Sequence, residues 1–331
     1  MTRLLTVTET ANWLKNRNGF LILVHRRPDG DTVGCAGALA QGLREYGKTA
    51  YVLNNPEITP RYRRFVKDYF APAGYDPEYI ITIDTASQTL LPVTGEKYKD
   101  NVSLCIDHHP SNTLYAEYTS LDGSLASCGE LVYQILMALA GSISVITAGA
   151  LYAALLTDTG CFVYGNTTAN TLRVASLLVE AGAPQKELNK TLFRTMSRNR
   201  IKIEGAIYSG LEFYFDGTVV IATITRKMMD KAEAMEDDVD DIASIPGSVE
   251  GALVGITIRE MSGPLDCKVS VRTGFDVNSH DLCARFGGGG HPMAAGFTLK
   301  ASVAEIKRLL LEALPEYLPA ADNPQNSELR A

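Results

Sequence analysis

Short uninterrupted hydrophobic runs alternate, over the first half of the chain, with stretches whose apolar positions recur every three or four residues. Residues 19–24 (GFLILV) read as a strand that is apolar on both faces, as in a parallel sheet covered on both sides. Residues 49–53, 79–83 and 102–106 repeat that pattern. Helical spacing covers 32–46, 127–140, 145–157, 167–181 and 184–196, and Gly47 suits the position just past the end of the first of these. Strands alternating with helices predict an α/β domain with a mostly parallel sheet flanked by helices.

The texture changes after about residue 185. Residues 186–208 are polar and basic (Lys186, Lys190, Arg194, Arg198, Arg200, Lys202), which predicts a helical linker whose cations face solvent. Strand-like segments at 217–225, 251–260 and 267–273 follow, with an acidic stretch at 233–241 that reads as an exposed helix. A helical segment at 276–286 and an amphipathic one at 309–318 complete a smaller α/β domain. The expected organisation is a first domain at 1–185, a linker at 186–209, a second domain at 210–318 and a polar tail at 319–331.

Composition narrows the class. With 331 residues, 46% hydrophobic and 21% charged, the chain is of ordinary globular make-up and long enough for two cores. No apolar run approaches the roughly 20 residues of a spanning helix. The first twenty residues carry Arg3, Glu9, Lys15 and Arg17, which does not suit a signal peptide. Six cysteines without a CxxC pair read as buried reduced thiols, so a cytoplasmic protein without membrane attachment is expected. Lys+Arg 31 against Asp+Glu 38 gives a net charge of −7, which does not hold long nucleic acid. An anionic substrate is then small, or is met by local cations.

The histidines sit in the most unusual local patterns. His25 opens HRRPDGD, which puts it in one loop with Asp29 and Asp31 directly after a strand. Asp84 follows the strand YIITI, and Asp107 follows LCI and precedes His108 and His109. Three strands thus end in Asp or His at one edge, where open α/β sheets bind ligands. Carboxylates and imidazoles crowded together need cations. Their mixture points to Mn²⁺ above Mg²⁺, and the absence of adjacent cysteines argues against structural zinc. Further along, four glycines at 287–290 permit close backbone approach to a phosphate and lead into His291. Lys268, Ser270 and Arg272 alternate on one strand face. Ser127-x-x-Glu130 reads as a capping box, Asn54-Asn55-Pro56 as a turn and His280 as a surface residue.

HRRPDGD at 25–31, DTA at 84–86, DHHP at 107–110 and GGGGHPMAAG at 287–296 resemble the DHH phosphoesterases that carry a DHHA1 domain. The resemblance implies two manganese ions, with magnesium as a substitute. His25, Asp29 and Asp84 would hold one, and Asp31, Asp84, His108 and Asp158 (in LLTDTGC) the other. Asp107 would orient an imidazole and His109 would face the scissile phosphate. Arg259, Ser270, Arg272, Gly288, Gly289, Gly290 and His291 would bind substrate together with His109. The compact plan is similar to the branch that degrades RNA fragments of a few nucleotides and dephosphorylates 3′-phosphoadenosine 5′-phosphate, and it is compatible with a homodimer. Cyclic dinucleotide hydrolysis is the alternative activity, and a non-catalytic nucleotide sensor the alternative of another class. Family members often have an arginine a few residues after DTA. Here the stretch is ASQTLLP, so a phosphate contact made from that place lacks its cation.

Overall fold

Hydrophobic runs of the first half pair side by side as parallel strands in the computed structural model, which describes residues 2–239, 242–274 and 276–319. The chain divides into two units, Met1–Thr195 and Met196–Ala331. In chain order the first contains β1 (Arg3–Leu4), α1 (Val7–Lys15), β2 (Phe20–Leu23), α2 (Gly30–Glu45), β3 (Ala50–Val52), α3 (Pro60–Arg63) and β4 (Tyr79–Ile83). Then come β5 (Leu104–Asp107), β6 (Tyr118–Leu121), α4 (Cys128–Ala140), α5 (Val145–Asp158), α6 (Ala169–Glu180) and α7 (Gln185–Asn189). The sheet order is β1-β6-β5-β4-β2-β3, and every pairing is parallel. Because β5, β4 and β2 are neighbours, Asp107, Asp84 and His25 come out at the same carboxyl edge.

Small residues let the helices over this sheet come close. A Cβ on Gly34 of α2 would lie 2.6 Å from the Ala150 carbonyl oxygen of α5, and one on Gly30 would collide with the Thr157 side chain. Helix α2 thus starts, and α5 ends, against each other, which sets Asp29 and Asp31 opposite Asp158. Asp29 caps α2 by accepting a hydrogen bond from the Thr32 backbone N–H (3.0 Å). The predicted capping box at Ser127 is not formed. Ser127 caps α4 alone, and the Glu130 carboxylate accepts instead from Ala126 N–H and from the side chains of Asn170 and Thr171.

The second unit contains α8 (Arg198–Ser209), β7 (Glu212–Tyr214), β8 (Val219–Ile224), α9 (Arg226–Ala232), β9 (Val254–Gly263) and β10 (Asp266–Thr273). It continues with α10 (Ser279–Ala284), β11 (Gly289–His291), β12 (Ala294–Leu299) and α11 (Val303–Ala313). Its sheet order is β11-β12-β10-β9-β8-β7, parallel only between β8 and β9. Ile256, Ile258, Val269, Val271 and Phe297 bury their side chains with Ile306 and Leu310 of α11.

Several elements differ from the pattern-based expectation. The segment 186–208 is not one helix but α7, a π-helical turn at Lys190–Arg194, and α8. The acidic stretch forms only a 3₁₀ turn, Glu236–Val239, and its residues 240 and 241 lie outside the described residues. The final helix starts earlier, at Val303, because Ser302 caps it. The tail from residue 320 also lies outside the described residues. Among the described residues no helix is long and apolar enough to cross a membrane.

Candidate metal centre

Backbone carbonyls fix the two innermost histidines. His25 donates from Nδ1 to the carbonyl of Arg26 (2.7 Å), and His108 donates from Nδ1 to that of Leu125 (3.1 Å). Each ring in its neutral form is then left with a bare Nε2 lone pair. That of His25 lies 2.7 Å from the Thr32 hydroxyl, and that of His108 faces carboxylates. His108 Nε2 lies 3.3 Å from Asp158 Oδ2, 3.4 Å from Asp84 Oδ1 and 3.7 Å from Asp31 Oδ2.

The carboxylates are held just as firmly. Asp31 is fully buried and accepts from Ser127 Oγ (2.9 Å), Cys128 N–H (2.8 Å), Gly129 N–H (3.1 Å) and Cys35 Sγ (3.1 Å). The N-terminus of α4 is therefore aimed at this carboxylate and complements its charge. Asp84 has a φ of 50°, a left-handed backbone that aspartate tolerates better than most residues. There the residue is buried, and its Oδ2 accepts from Thr32 Oγ1 (2.6 Å).

Two sets of donor atoms emerge, His25–Asp29–Asp84 and Asp31–His108–Asp158, each within 4.8 Å mutually, and Asp84, His108 and His109 form a third such group. Asp84 Oδ1 and His108 Nε2 are buried without a hydrogen-bond partner. Lone pairs from imidazole and carboxylate facing each other repel unless positive charge lies between them. The titration behaviour agrees. Asp29 is pushed up to about 6 by crowding among protein atoms and then by the carboxylates of Asp84 and Asp158, although the residue keeps an exposed edge. Burial, then Asp158 and Asp84, pushes Asp31 well above the carboxylate range. Burial opposes charge on His108, but its contacts with Asp158 and Asp84 outweigh this and raise its pKa far above that of imidazole. The residues present fit divalent cations.

Beside this cluster, Asp107 Oδ1 accepts from His109 Nδ1 (2.8 Å), and Asn112 Nδ2 donates to Asp107 Oδ2 (2.6 Å). Burial lowers the His109 pKa, but the bond to Asp107 and the charges of Asp84 and Asp107 outweigh it and raise the pKa. Asn55, expected as a turn residue, is fully buried and donates to the His25 carbonyl (3.1 Å). Sequence reading missed Thr32, Asn112 and the α4 cradle. The small-polar SCG at 127–129 was the only available signal for the last.

The remaining candidates lie in the second unit. Lys268, Ser270 and Arg272 alternate with the buried Val269 and Val271 on β10, and Arg259 of β9 stands in register with Lys268. Arg259 forms an ion pair with Glu236 (2.7 Å), so this cation is already engaged. Gly289, Gly290 and His291 form a strand paired with β12. A Cβ at Gly288 would collide with the Gly296 carbonyl, and one at Gly290 would lie 2.6 Å from the Ala294 carbonyl, so close backbone approach explains these glycines. His280 is exposed, as expected, but it is not solitary. Its Nδ1 lies 2.9 Å from the Gly290 carbonyl and 3.3 Å from the Gly290 nitrogen.

Similarity to known proteins extends over both units. The DHH family, N-terminal domain, matches residues 19–155, and the DHHA1 domain matches residues 216–319. The bifunctional oligoribonuclease and PAP phosphatase NrnA of Thermus thermophilus is 32% identical over 91% of this chain and 90% of its own length. The protein of the same description from Bacillus subtilis is 26% identical over 84% and 89%. An exopolyphosphatase-related protein from Bacteroides fragilis shares the fold, with a TM-score of 0.82, 21% identity, and coverage of 94% of this chain and 96% of that one.

Proposed function

Because the chain belongs to the DHH family of phosphoesterases and carries a DHHA1 domain, we propose that it is a manganese-dependent hydrolase of short oligoribonucleotides. The products are mononucleotides, and 3′-phosphoadenosine 5′-phosphate is a second substrate. The observation that carries this reading is the meeting of two donor groups at Asp84, which stands with His25 and Asp29 in one and with His108 and His109 in the other. His25, Asp29 and Asp84 would hold one ion, and Asp31, Asp84, His108 and Asp158 the other. Imidazole beside carboxylate favours Mn²⁺ over Mg²⁺.

When bound, two such ions supply Lewis-acid charge to the phosphoryl oxygens and make a water nucleophilic near neutral pH. The chain's own residues do the rest. Asp107 keeps a proton on His109 Nδ1 and favours its cationic form, so His109 offers charge to the phosphoryl group or a proton to the leaving oxygen. Ser270, Arg272 and His291, with the backbone of Gly288, Gly289 and Gly290, would bind the phosphates of the substrate. Arg259 would contribute less, because Glu236 already neutralises it. All six cysteines are free thiols, which suits a reducing cytoplasm.

A panel of purified-protein assays tests the reading: dinucleotides, pentanucleotides, 24-mers, cyclic dinucleotides and 3′-phosphoadenosine 5′-phosphate, each with and without Mn²⁺. Fastest turnover of the shortest linear RNA with Mn²⁺ is expected. Preference for cyclic dinucleotides would replace this reading with the alternative. Arg272→Ala and His291→Ala are expected to raise KM while bound metal is unchanged.

A further inference from the structure

One hydroxyl group touches every member of the His25 donor set. Thr32 is fully buried in the first turn of α2. Its Oγ1 lies 2.6 Å from Asp84 Oδ2, 2.7 Å from His25 Nε2 and 3.1 Å from Asp29 Oδ1. We propose that Thr32 is a positioning residue that sets how tightly the His25–Asp29–Asp84 group holds its ion. This rests on the metal-centre reading above.

The argument is one of proton counting. The hydroxyl has a single proton and three acceptors around it, because the His25 ring spends its Nδ1–H on the Arg26 carbonyl. Its shortest contact is to Asp84 Oδ2, so that carboxylate takes the proton. Asp29 and the His25 lone pair then keep their capacity for a cation. Donation to Oδ2 also fixes the rotation of the Asp84 carboxylate, so that Oδ1 stays on the side of His108 and His109, 3.4 Å from a nitrogen of each. Full burial and its three short contacts hold the hydroxyl itself in place. Asp31, by contrast, takes its hydrogen bonds from Ser127, from the start of α4 and from Cys35. Apart from the shared Asp84, the two donor groups therefore depend on different supports, and Thr32 supports the His25 group.

Outer contacts to metal-binding side chains typically change affinity about 10–100-fold when removed. Titration of the full-length, substrate-free protein with Mn²⁺, followed by calorimetry and by electron paramagnetic resonance of the free ion, reads this directly. Thr32→Val keeps the shape and removes the hydroxyl, and Thr32→Ala places a good helix former there should valine pack badly. Both are expected to weaken one of two ions about 10–100-fold and the other, which shares only Asp84 with that group, by clearly less. Thr32→Ser, which restores the hydroxyl, is expected to recover most of the loss. The role of Thr32 is overturned if the alanine and valine variants bind both ions as tightly as wild type, if both ions weaken equally, or if serine fares no better than alanine. A wild-type chain that binds no divalent ion overturns the metal centre itself, whichever substrate it acts on.

Discussion

Asp84 shows how much one residue carries in this site. Its left-handed backbone turns the chain directly after β4, one oxygen accepts from Thr32 and the other lies 3.4 Å from His108, and the residue belongs to two donor groups. Asp84→Asn is therefore expected to lower kcat more than any other single ligand change. Metal charge supplies several kcal/mol at such centres, so a loss of about a thousandfold is expected, each tenfold being about 1.36 kcal/mol. Steady-state kinetics with bound-metal analysis checks this, and an active Asp84→Asn protein would defeat the shared-ligand assignment. The crowding of carboxylates also has a pH signature. Asp29, lifted to about 6, and Asp31, lifted well above its usual range, hold protons in the fold that they would lose when unfolded. Their contribution to stability is thus present at low pH and is lost as pH rises through about 6 for Asp29, and higher for Asp31. Chelated protein should therefore be rescued by Mn²⁺ more strongly at about pH 7.5 than at about pH 5, read as the shift in melting temperature. An equal shift at both values would contradict this account. His25, Asp84 and Asp107 were legible because each directly follows or ends an apolar run, and Asp29, Asp31, His108 and His109 because they lie in the short segments just after them. Thr32, Ser127 and Asn55 were not, since the contacts that tie them to Asp84, Asp31 and the His25 carbonyl join segments distant in sequence and leave no local pattern.

Helices α2 and α5 turn those side chains into a site through close approach. Gly34→Ala would press a methyl against the Ala150 carbonyl, a backbone atom that cannot rotate away. Overpacking of this kind costs about 1–3 kcal/mol, so denaturant melts should show that loss, with weaker metal binding as α2 shifts from α5. If the Gly34→Ala variant kept wild-type stability and metal affinity, the two helices would have slack. At this scale the fold was legible where burial is continuous. The apolar runs became β2, β4 and β5, and the small-residue helix became α2, because a strand or helix covered on all sides must be apolar throughout. Strands β1, β6 and β7 were not legible. They are two to four residues long and carry exposed or half-exposed positions. The glycine block was read as a ligand-cradling loop, but it also pairs into β11 and β12. Four glycines in a row carry no alternation from which a strand can be recognised.

For the whole molecule the question is how much nucleic acid it holds, and charge decides it. The net charge is −7, so no general attraction for a polyanion is available. The cations expected to meet substrate are few, and Arg259 among them is already paired with Glu236. The others are Lys268 and Arg272, which with the His291 ring would meet about one to three phosphates. Single-strand binding falls with salt at a slope of about −0.7 per phosphate neutralised, so a slope of roughly −1 to −2 is expected. Nucleotides beyond the first few would extend into solvent or meet an acidic surface and gain nothing from it. kcat/KM should therefore be highest for RNAs of two or three nucleotides and decline towards a 24-mer, and Arg272→Ala should flatten the salt dependence by about one phosphate's share. Measuring kcat/KM for RNAs of two, three, five, ten and 24 nucleotides at two salt concentrations tests both statements. A rise with length together with a steep salt slope would require a basic track along the protein and would favour an exonuclease of long strands. A shallow slope with a short-substrate optimum is what a centre built around one scissile phosphate and its neighbour should give.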